Sequence, residues 1–187
     1  MHIIETSIPD LIIIEPDIFK DDRGYFFESF SQKKFNELTG LDTIFVQDNE
    51  SKSSFGVIRG LHYQYGEHAQ AKLVRVVKGG VIDFAVDLRK GSPTFGKYEA
   101  VRLTEDNHRQ FYIPRGFAHG FISLVNDTIF QYKCDNYYCP EAERGIIWND
   151  PDINIDWVVD YKYLNISPKD MVHLTLKEAT DLFEYKK

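Results

Sequence analysis

Cysteine is scarce in this chain. Only Cys134 and Cys139 occur among 187 residues, which is no disulfide framework; both are read as reduced thiols, and the protein as cytoplasmic. No apolar run approaches the roughly 20 residues that span a bilayer as a helix. Met1 to Asp10 has neither a basic start nor a long apolar stretch, so no signal peptide or membrane segment is expected. Basic residues are also in the minority, 22 Lys and Arg against 29 Asp and Glu, for a formal net charge of −7. That balance excludes a general nucleic-acid surface, which must neutralise phosphates. It leaves room for a phosphorylated small molecule in a local basic pocket. Repeats, low-complexity tracts and linkers are missing as well, and residues 1–187 are read as one domain with a single core.

Aromatic residues, by contrast, are plentiful: 11 Tyr and 14 Phe raise the aromatic share to 14%. They suit strands and line pockets. Ile82, Phe84, Val86 and Leu88 alternate with Asp83, Ala85 and Asp87, the period of a half-buried strand. Gly79-Gly80 separates it from Lys72–Val77, which suggests a hairpin. Further strands are expected at 11–14, 25–30, 57–63, 98–103, 110–113, 120–124, 129–132 and 145–148. Short strands at this spacing predict an all-β jelly roll or related barrel with a few short peripheral helices. Ser31 is placed to cap a helix over 32–39 that Gly40 ends. Thr175 and Glu178 have capping-box spacing ahead of a second helix to about residue 184. Residues 150–169 read as loop.

Strand parity puts polar side chains on apolar faces. Lys72 falls in step with Val74 and Val76, Glu28 with Phe26 and Phe30, His62 with Ile58, and Tyr132 with Phe130. Either these faces meet solvent, or a Lys, a Glu, a His and a Tyr converge in a polar pocket, since buried charge is costly unless paired. Two histidines also sit in Gly-flanked segments, Arg59-Gly60-Leu61-His62-Tyr63-Gln64 and Pro114-Arg115-Gly116-Phe117-Ala118-His119-Gly120.

Pro114 to His119 resembles the second motif of the cupins, and the His62 segment lies where the first would. Metal cupins have His-x-His there; this chain has His62-Tyr63-Gln64, leaving His62, Glu67 and His119 as the ligands of a metal reading. A fuller resemblance, over nearly the whole chain, is to the dTDP-4-dehydrorhamnose 3,5-epimerase family. It is carried in order by Asp22-Arg23-Gly24, Phe26 to Phe30, Gln47-Asp48-Asn49, Arg59 to Gln64, Lys72 to Val76 and Asp87-Leu88-Arg89. Ser92 to Gly96, Ile113 to Phe121, Tyr132-Lys133, Tyr137-Tyr138, Trp148 to Pro151 and Ser167 to Asp170 continue the series. One stretch departs from it: the family has a proline soon after the position of Trp157, where this chain reads Val158-Val159-Asp160.

The resemblance implies a cupin-like jelly roll, a homodimer with exchanged N-terminal strands, a dTDP-sugar substrate, no cofactor and no metal. It assigns His62 as base, Tyr132 as acid, Lys72 to the C4 oxygen and Asp170 as partner of the histidine. Arg23, Glu28, Gln47, Asn49, Arg59, His119, Glu143 and Lys169 fall where the family contacts substrate, and Tyr138 offers a stacking surface. Arg23 and Glu28 are expected to serve the neighbouring subunit. A metal-dependent cupin and a non-catalytic sugar-nucleotide-binding module are the competing readings.

Overall fold

Strong alternation in the sequence becomes strand, and the strands close into two facing sheets. The computed structural model describes residues 1–185. Its elements are β1 (His2–Glu5), β2 (Ile12–Glu15), β3 (Phe19–Asp21), β4 (Gly24–Phe26), α1 (Gln32–Thr39), β5 (Gln47–Ser53), β6 (Val57–Gln64), β7 (Lys72–Lys78) and β8 (Gly80–Asp87). They continue with β9 (Arg89–Lys90), β10 (Tyr98–Thr104), β11 (Gln110–Ile113), β12 (Phe117–Ser123), β13 (Thr128–Cys134), β14 (Glu143–Gly145), β15 (Asn165–Ile166) and β16 (Phe183–Glu184). The first sheet runs β1-β2-β11-β7-β13-β5 and the second β10-β8-β12-β6-β14, with β15 added in parallel to β6. This is the expected jelly roll.

The core lies between the sheets, where Val74, Val76, Phe111, Ile113 and Phe130 of the first meet Val81, Ala85, Val101, Leu103 and Phe121 of the second. The outer face of the second sheet is covered as well. Ile146, Ile153, Trp157, Leu176 and Leu182 from the C-terminal segment pack over Ile58, Leu61, Phe84, Val86, Leu88 and Ile122. Helix α1 is as expected: Ser31 caps it, Gly40 closes it in the left-handed region, and Phe35 packs beneath it with Leu73 and Tyr112.

Several expectations are corrected. The strands flanking Gly79-Gly80 form no hairpin: β7 pairs with β11 and β13, β8 with β10 and β12, so the glycines turn the chain from one sheet to the other. Strand β8 is buried on both faces, because the interior takes Asp83 and Ala85 while the C-terminal segment covers Phe84 and Val86. The strand expected over 25–30 stops at Phe26, and that over 145–148 lies at Glu143–Gly145. Thr175 does donate to the Glu178 carboxylate, from its amide at 3.0 Å and its hydroxyl at 2.7 Å. A single turn follows instead of a helix, because Leu182 packs on the second sheet and Phe183–Glu184 pairs with β9.

The Asp87-Leu88-Arg89 and Ser92 to Gly96 segments hold this corner together. The Asp87 carboxylate accepts from the Arg89 amide, Nε and Nη2, each at 2.9 Å, from Ser92 Oγ at 2.6 Å and from Thr94 Oγ1 at 2.7 Å. Burial pushes its pKa up, and these hydrogen bonds more than offset that, leaving it below the usual carboxylate value. Asp87→Ala should therefore destabilise the fold by about 3–5 kcal/mol in urea unfolding, because Arg89 stays behind as a buried charge with its main partner gone. With the folded pKa depressed, this stabilisation is complete above the unfolded carboxylate value of about 3.9 and disappears as pH falls through the folded one. The wild type should thus lose more stability than Asp87→Ala between pH 5 and the acid transition, roughly, when the two are unfolded side by side.

Candidate active site

The polar side chains of the sheet interior gather at one end of the sandwich. On the first sheet, β7 points Lys72 inward with Val74 and Val76, and β13 points Tyr132 inward with Phe130. On the facing sheet, His62 of β6 is paired with His119 of β12. The register slips by one residue between that pair and Arg59–Phe121, so Arg59 and His62 share the inner face, as a β-bulge allows. Gly60 makes the slip possible: its φ is +125°, and a Cβ there would fall 2.5 Å from the Gly120 Cα. The expected parity of His62 with Ile58 is corrected, since Ile58 belongs to the outer cluster with Ile122.

These residues line a cavity of about 570 Å³ whose wall includes Asn49, Arg59, His62, Lys72, His119, Tyr132, Lys169 and Asp170. An adjoining chamber shares Asn49, His62, Lys72 and Tyr132 and adds Gln47, Tyr138 and Glu143. Of the expected site residues, only Arg23 and Glu28 lie elsewhere. Arg23 is 90% exposed and paired with Asp21, and Glu28 bonds Lys34 at 2.9 Å. The reading of Glu28 as an inward strand residue is corrected, since the strand ends before it.

His62 Nε2 lies 2.6 Å from Asp170 Oδ1, and Asp170 is only 3% exposed. Burial pushes the Asp170 carboxyl up, but bonds from His62, Ser167 and the Gly60 amide outweigh it, so the group is held ionised. An ionised carboxylate must receive a proton, which assigns the N–H to His62 Nε2 and leaves the lone pair on Nδ1. Across the cavity, burial lowers the pKa of Lys72 and raises that of Tyr132. The Lys72 ammonium stands 5.9 Å from the Tyr132 ring centre and feels Asp83 and Glu143 only through space. Among the described residues no carboxylate bonds this amine, which lines the cavity. Tyr132 stays a phenol and keeps its proton.

Around this centre a rim of hydrogen bonds fixes the remaining groups. Glu143 accepts from Tyr138 Oη at 2.7 Å and from Lys169 Nζ at 2.5 Å, and the bond to Glu143 pushes the Tyr138 phenol up to about 12. Gln47 Nε2 donates to Asn49 at 3.1 Å and Gln47 Oε1 accepts from the Tyr138 amide at 3.0 Å. Arg59 Nε donates to Ser53 Oγ at 3.2 Å. Sequence reasoning missed Asp83, which is fully buried and bonds His119 Nε2 at 2.9 and 3.1 Å. Only the knowledge that its face is the interior would have found it. His173, beside Asp170, was missed too, and nothing in its sequence context marks it.

The arrangement can take a proton from one side of a bound carbonyl compound and return one from the other. His62 and Asp170 stand on one wall of the cavity, and Lys72 and Tyr132 stand on the facing sheet.

The model of the dTDP-4-dehydrorhamnose 3,5-epimerase family matches residues 5–178. A relative of that name from Salmonella typhimurium (strain LT2) is 55% identical over 179 residues, which cover 96% of this chain and 97% of that protein. A dTDP-6-deoxy-D-glucose-3,5-epimerase from Legionella pneumophila, solved in complex with dTDP-4-keto-L-rhamnose, superposes with a TM-score of 0.96. It is 48% identical and the match covers 100% of this chain and 99% of that one. A 3'-monoepimerase from Streptomyces bikiniensis, solved with dTDP-quinovose, has 34% identity and a TM-score of 0.87, covering 95% of this chain and 88% of that one.

Proposed function

Because the chain belongs to the dTDP-4-dehydrorhamnose 3,5-epimerase family, we propose that it converts dTDP-4-dehydro-6-deoxy-D-glucose to dTDP-4-dehydro-L-rhamnose in dTDP-L-rhamnose biosynthesis. The observation that carries the chemistry is the pairing of His62 with Asp170 on one wall of a cavity whose other wall holds Lys72 and Tyr132.

A carbon beside a ketone gives up its proton only if the enolate is stabilised. Nδ1 of His62 is the base, and the Asp170 carboxylate fixes its tautomer and balances the imidazolium that forms. Lys72 meets the charge that grows on the C4 oxygen, and it does so away from bulk water, where such a contact is strong. Tyr132, kept protonated by burial, returns a proton from the opposite face and inverts the carbon. C3 and C5 flank the same carbonyl, so one Lys72 serves both. Side chains supply every proton transfer, and the scheme calls for no cofactor.

Arg59 and Lys169 give the diphosphate positive charge despite the net charge of −7. Gln47, Asn49, His119 and Glu143 contribute polar contacts, and Tyr138 a stacking surface. Arg23 and Glu28 act in the site of a second copy. The exposed Phe19, Tyr25 and Phe26 beside them support a homodimer with exchanged N-terminal strands, since monomers rarely leave such aromatics in water. The unpaired thiols of Cys134 and Cys139 suit the cytoplasm. No helix among the described residues is long and apolar enough to cross a membrane.

The test is incubation with the 4-keto-6-deoxyglucose nucleotide in deuterated water, followed by locating the label. The wild type should place deuterium at C3 and C5 with inversion at both. Tyr132→Phe should still wash out substrate α-protons but invert at least tenfold more slowly. Substrate binding without any exchange in the wild type would replace this reading with a binding module. Activity that chelators abolish and metal restores would replace it with a metal cupin.

A further inference from the structure

His173 is a polar side chain at the site that the proposed reaction does not use. Its ring lies against β14 so closely that a Cβ on Gly145 would fall 2.5 Å from Cδ2 and Nε2, so the backbone there must be glycine for the imidazole to sit where it does. The His173 Nε2 is buried and has no hydrogen-bond partner. It stands 3.6 Å from Asp170 Oδ1, the same oxygen that His62 Nε2 meets at 2.6 Å. The two imidazoles are edge to face, with ring centres 5.6 Å apart. Among the described residues, these three form a group whose ligand atoms all lie within 4.8 Å of one another.

A buried nitrogen without a partner is costly and calls for an explanation. If Nε2 of His173 carries its proton, the acceptor is too distant; if it does not, a lone pair faces an anionic oxygen. A cation between the nitrogen and the carboxylate satisfies both. Zinc bonds of 2.0–2.1 Å in a tetrahedron set ligand atoms about 3.3 Å apart. The separations of 2.6 and 3.6 Å fall on either side of that value, and all three ligand atoms lie within 4.8 Å of one another, so side-chain rotation of the imidazoles as well as the carboxylate closes the set on an ion. Two imidazoles and one carboxylate with an open fourth position are a ligand set that Zn²⁺ accepts. Glu143, which holds Lys169 in an ion pair, keeps the neighbouring positive charge from opposing an incoming cation.

We propose that His62, Asp170 and His173 form an inhibitory site for a divalent zinc-type ion. This set differs from the metal-cupin one: Glu67 is 90% exposed beside His68, and His119 is engaged with Asp83. The inhibition follows from the tautomer, and in that respect rests on the proton-transfer reading above. An ion on His62 Nε2 displaces the proton there, which moves to Nδ1, the nitrogen that must be bare to act as base. The ion also takes the Asp170 oxygen away from the imidazole. The base is switched off while the sugar cavity stays open, so the turnover number falls and substrate affinity does not.

Metal-free protein titrated with zinc chloride in a non-chelating buffer tests this, by equilibrium dialysis and by epimerase assay in parallel. One equivalent should bind per chain, and kcat should fall at least tenfold at saturation with KM unchanged. His173→Asn, and His173→Phe as the variant that keeps a ring against Gly145, should retain basal activity. Both should lose that equivalent and show at least a tenfold higher zinc concentration for half-inhibition. Equal zinc binding or equal sensitivity in the variants would overturn the site. A rise in KM with constant kcat would overturn the tautomer mechanism in favour of chelation by the diphosphate. Dialysis reports the site whether or not the chain is an epimerase, so failure there leaves the functional reading standing. Zinc that revives an inactive metal-free protein would overturn the inhibitory role and the base assignment together.

Discussion

His62→Ala should fold normally and lose epimerase activity by roughly 10²–10⁴-fold, the range a positioned general base supplies. The fold survives because the variant does not strand the buried carboxylate. Ser167 and the Gly60 backbone, which also favour the ionised Asp170, remain beside it, and the side chain removed is itself 30% exposed on the cavity wall. The loss belongs to the proton-abstraction step, so exchange of substrate α-protons with deuterated water should fall in parallel with turnover. Added imidazole should restore part of both, because the cavity left behind opens onto a carboxylate that can orient the free base. Exchange at the wild-type rate in His62→Ala would remove this residue from the mechanism. Lost activity with no imidazole rescue and a lowered melting temperature would make its role structural.

The path by which His62 reaches that position shows what strand patterns convey and what they omit. Alternation places Lys72 and Tyr132 inside, since β7 and β13 keep their period past the last apolar residue. On β6 the same rule gives the right face for the wrong reason. Counting from Ile58 puts His62 beside it, whereas the bulge at Gly60 sends Ile58 outward and turns Arg59 and His62 in together. A bulge is written in the close approach of Gly60 to Gly120, a tertiary contact that no local window contains. Strand β5 escapes notice altogether because its inward residues are Gln47, Asn49, Ser51 and Ser53, facing Cys134, Tyr132, Phe130 and Thr128. The strand contributes polar groups to the cavity, so it has no apolar stripe to betray it. Asp83 is hidden by the opposite effect: its polar face looks solvent-bound until the facing sheet is known. Helix α1, whose cap, apolar face and stop lie within ten residues, needed no such knowledge. The family resemblance supplied Asp170, which lies 108 positions from His62; local pattern alone would not have joined them.

Lys72→Met should lower kcat by roughly 10²–10³-fold, the cost of removing one donor from a developing oxyanion, or about 3–4 kcal/mol. KM should change little, because the carbonyl oxygen acquires its charge only as the proton leaves, and an interaction made in the transition state alone appears in kcat. The effect on stability should run the other way. The ammonium is half-buried on the cavity wall beside the Tyr132 ring, and desolvation already depresses its pKa. Methionine fills nearly the same length without a charge to desolvate, so thermal unfolding should occur at the wild-type temperature or above it. A loss of activity joined to a gain in stability is the signature of a charge kept for chemistry, since a structural lysine would forfeit both. Lys72→Arg should not rescue turnover, because a planar guanidinium cannot take the place of a compact ammonium at one oxygen. The contrary result is equally readable. A rise in KM with kcat intact would mean that Lys72 holds the diphosphate, and the enolate would then need another cation from the same cavity, with Arg59 and Lys169 the remaining candidates on its wall.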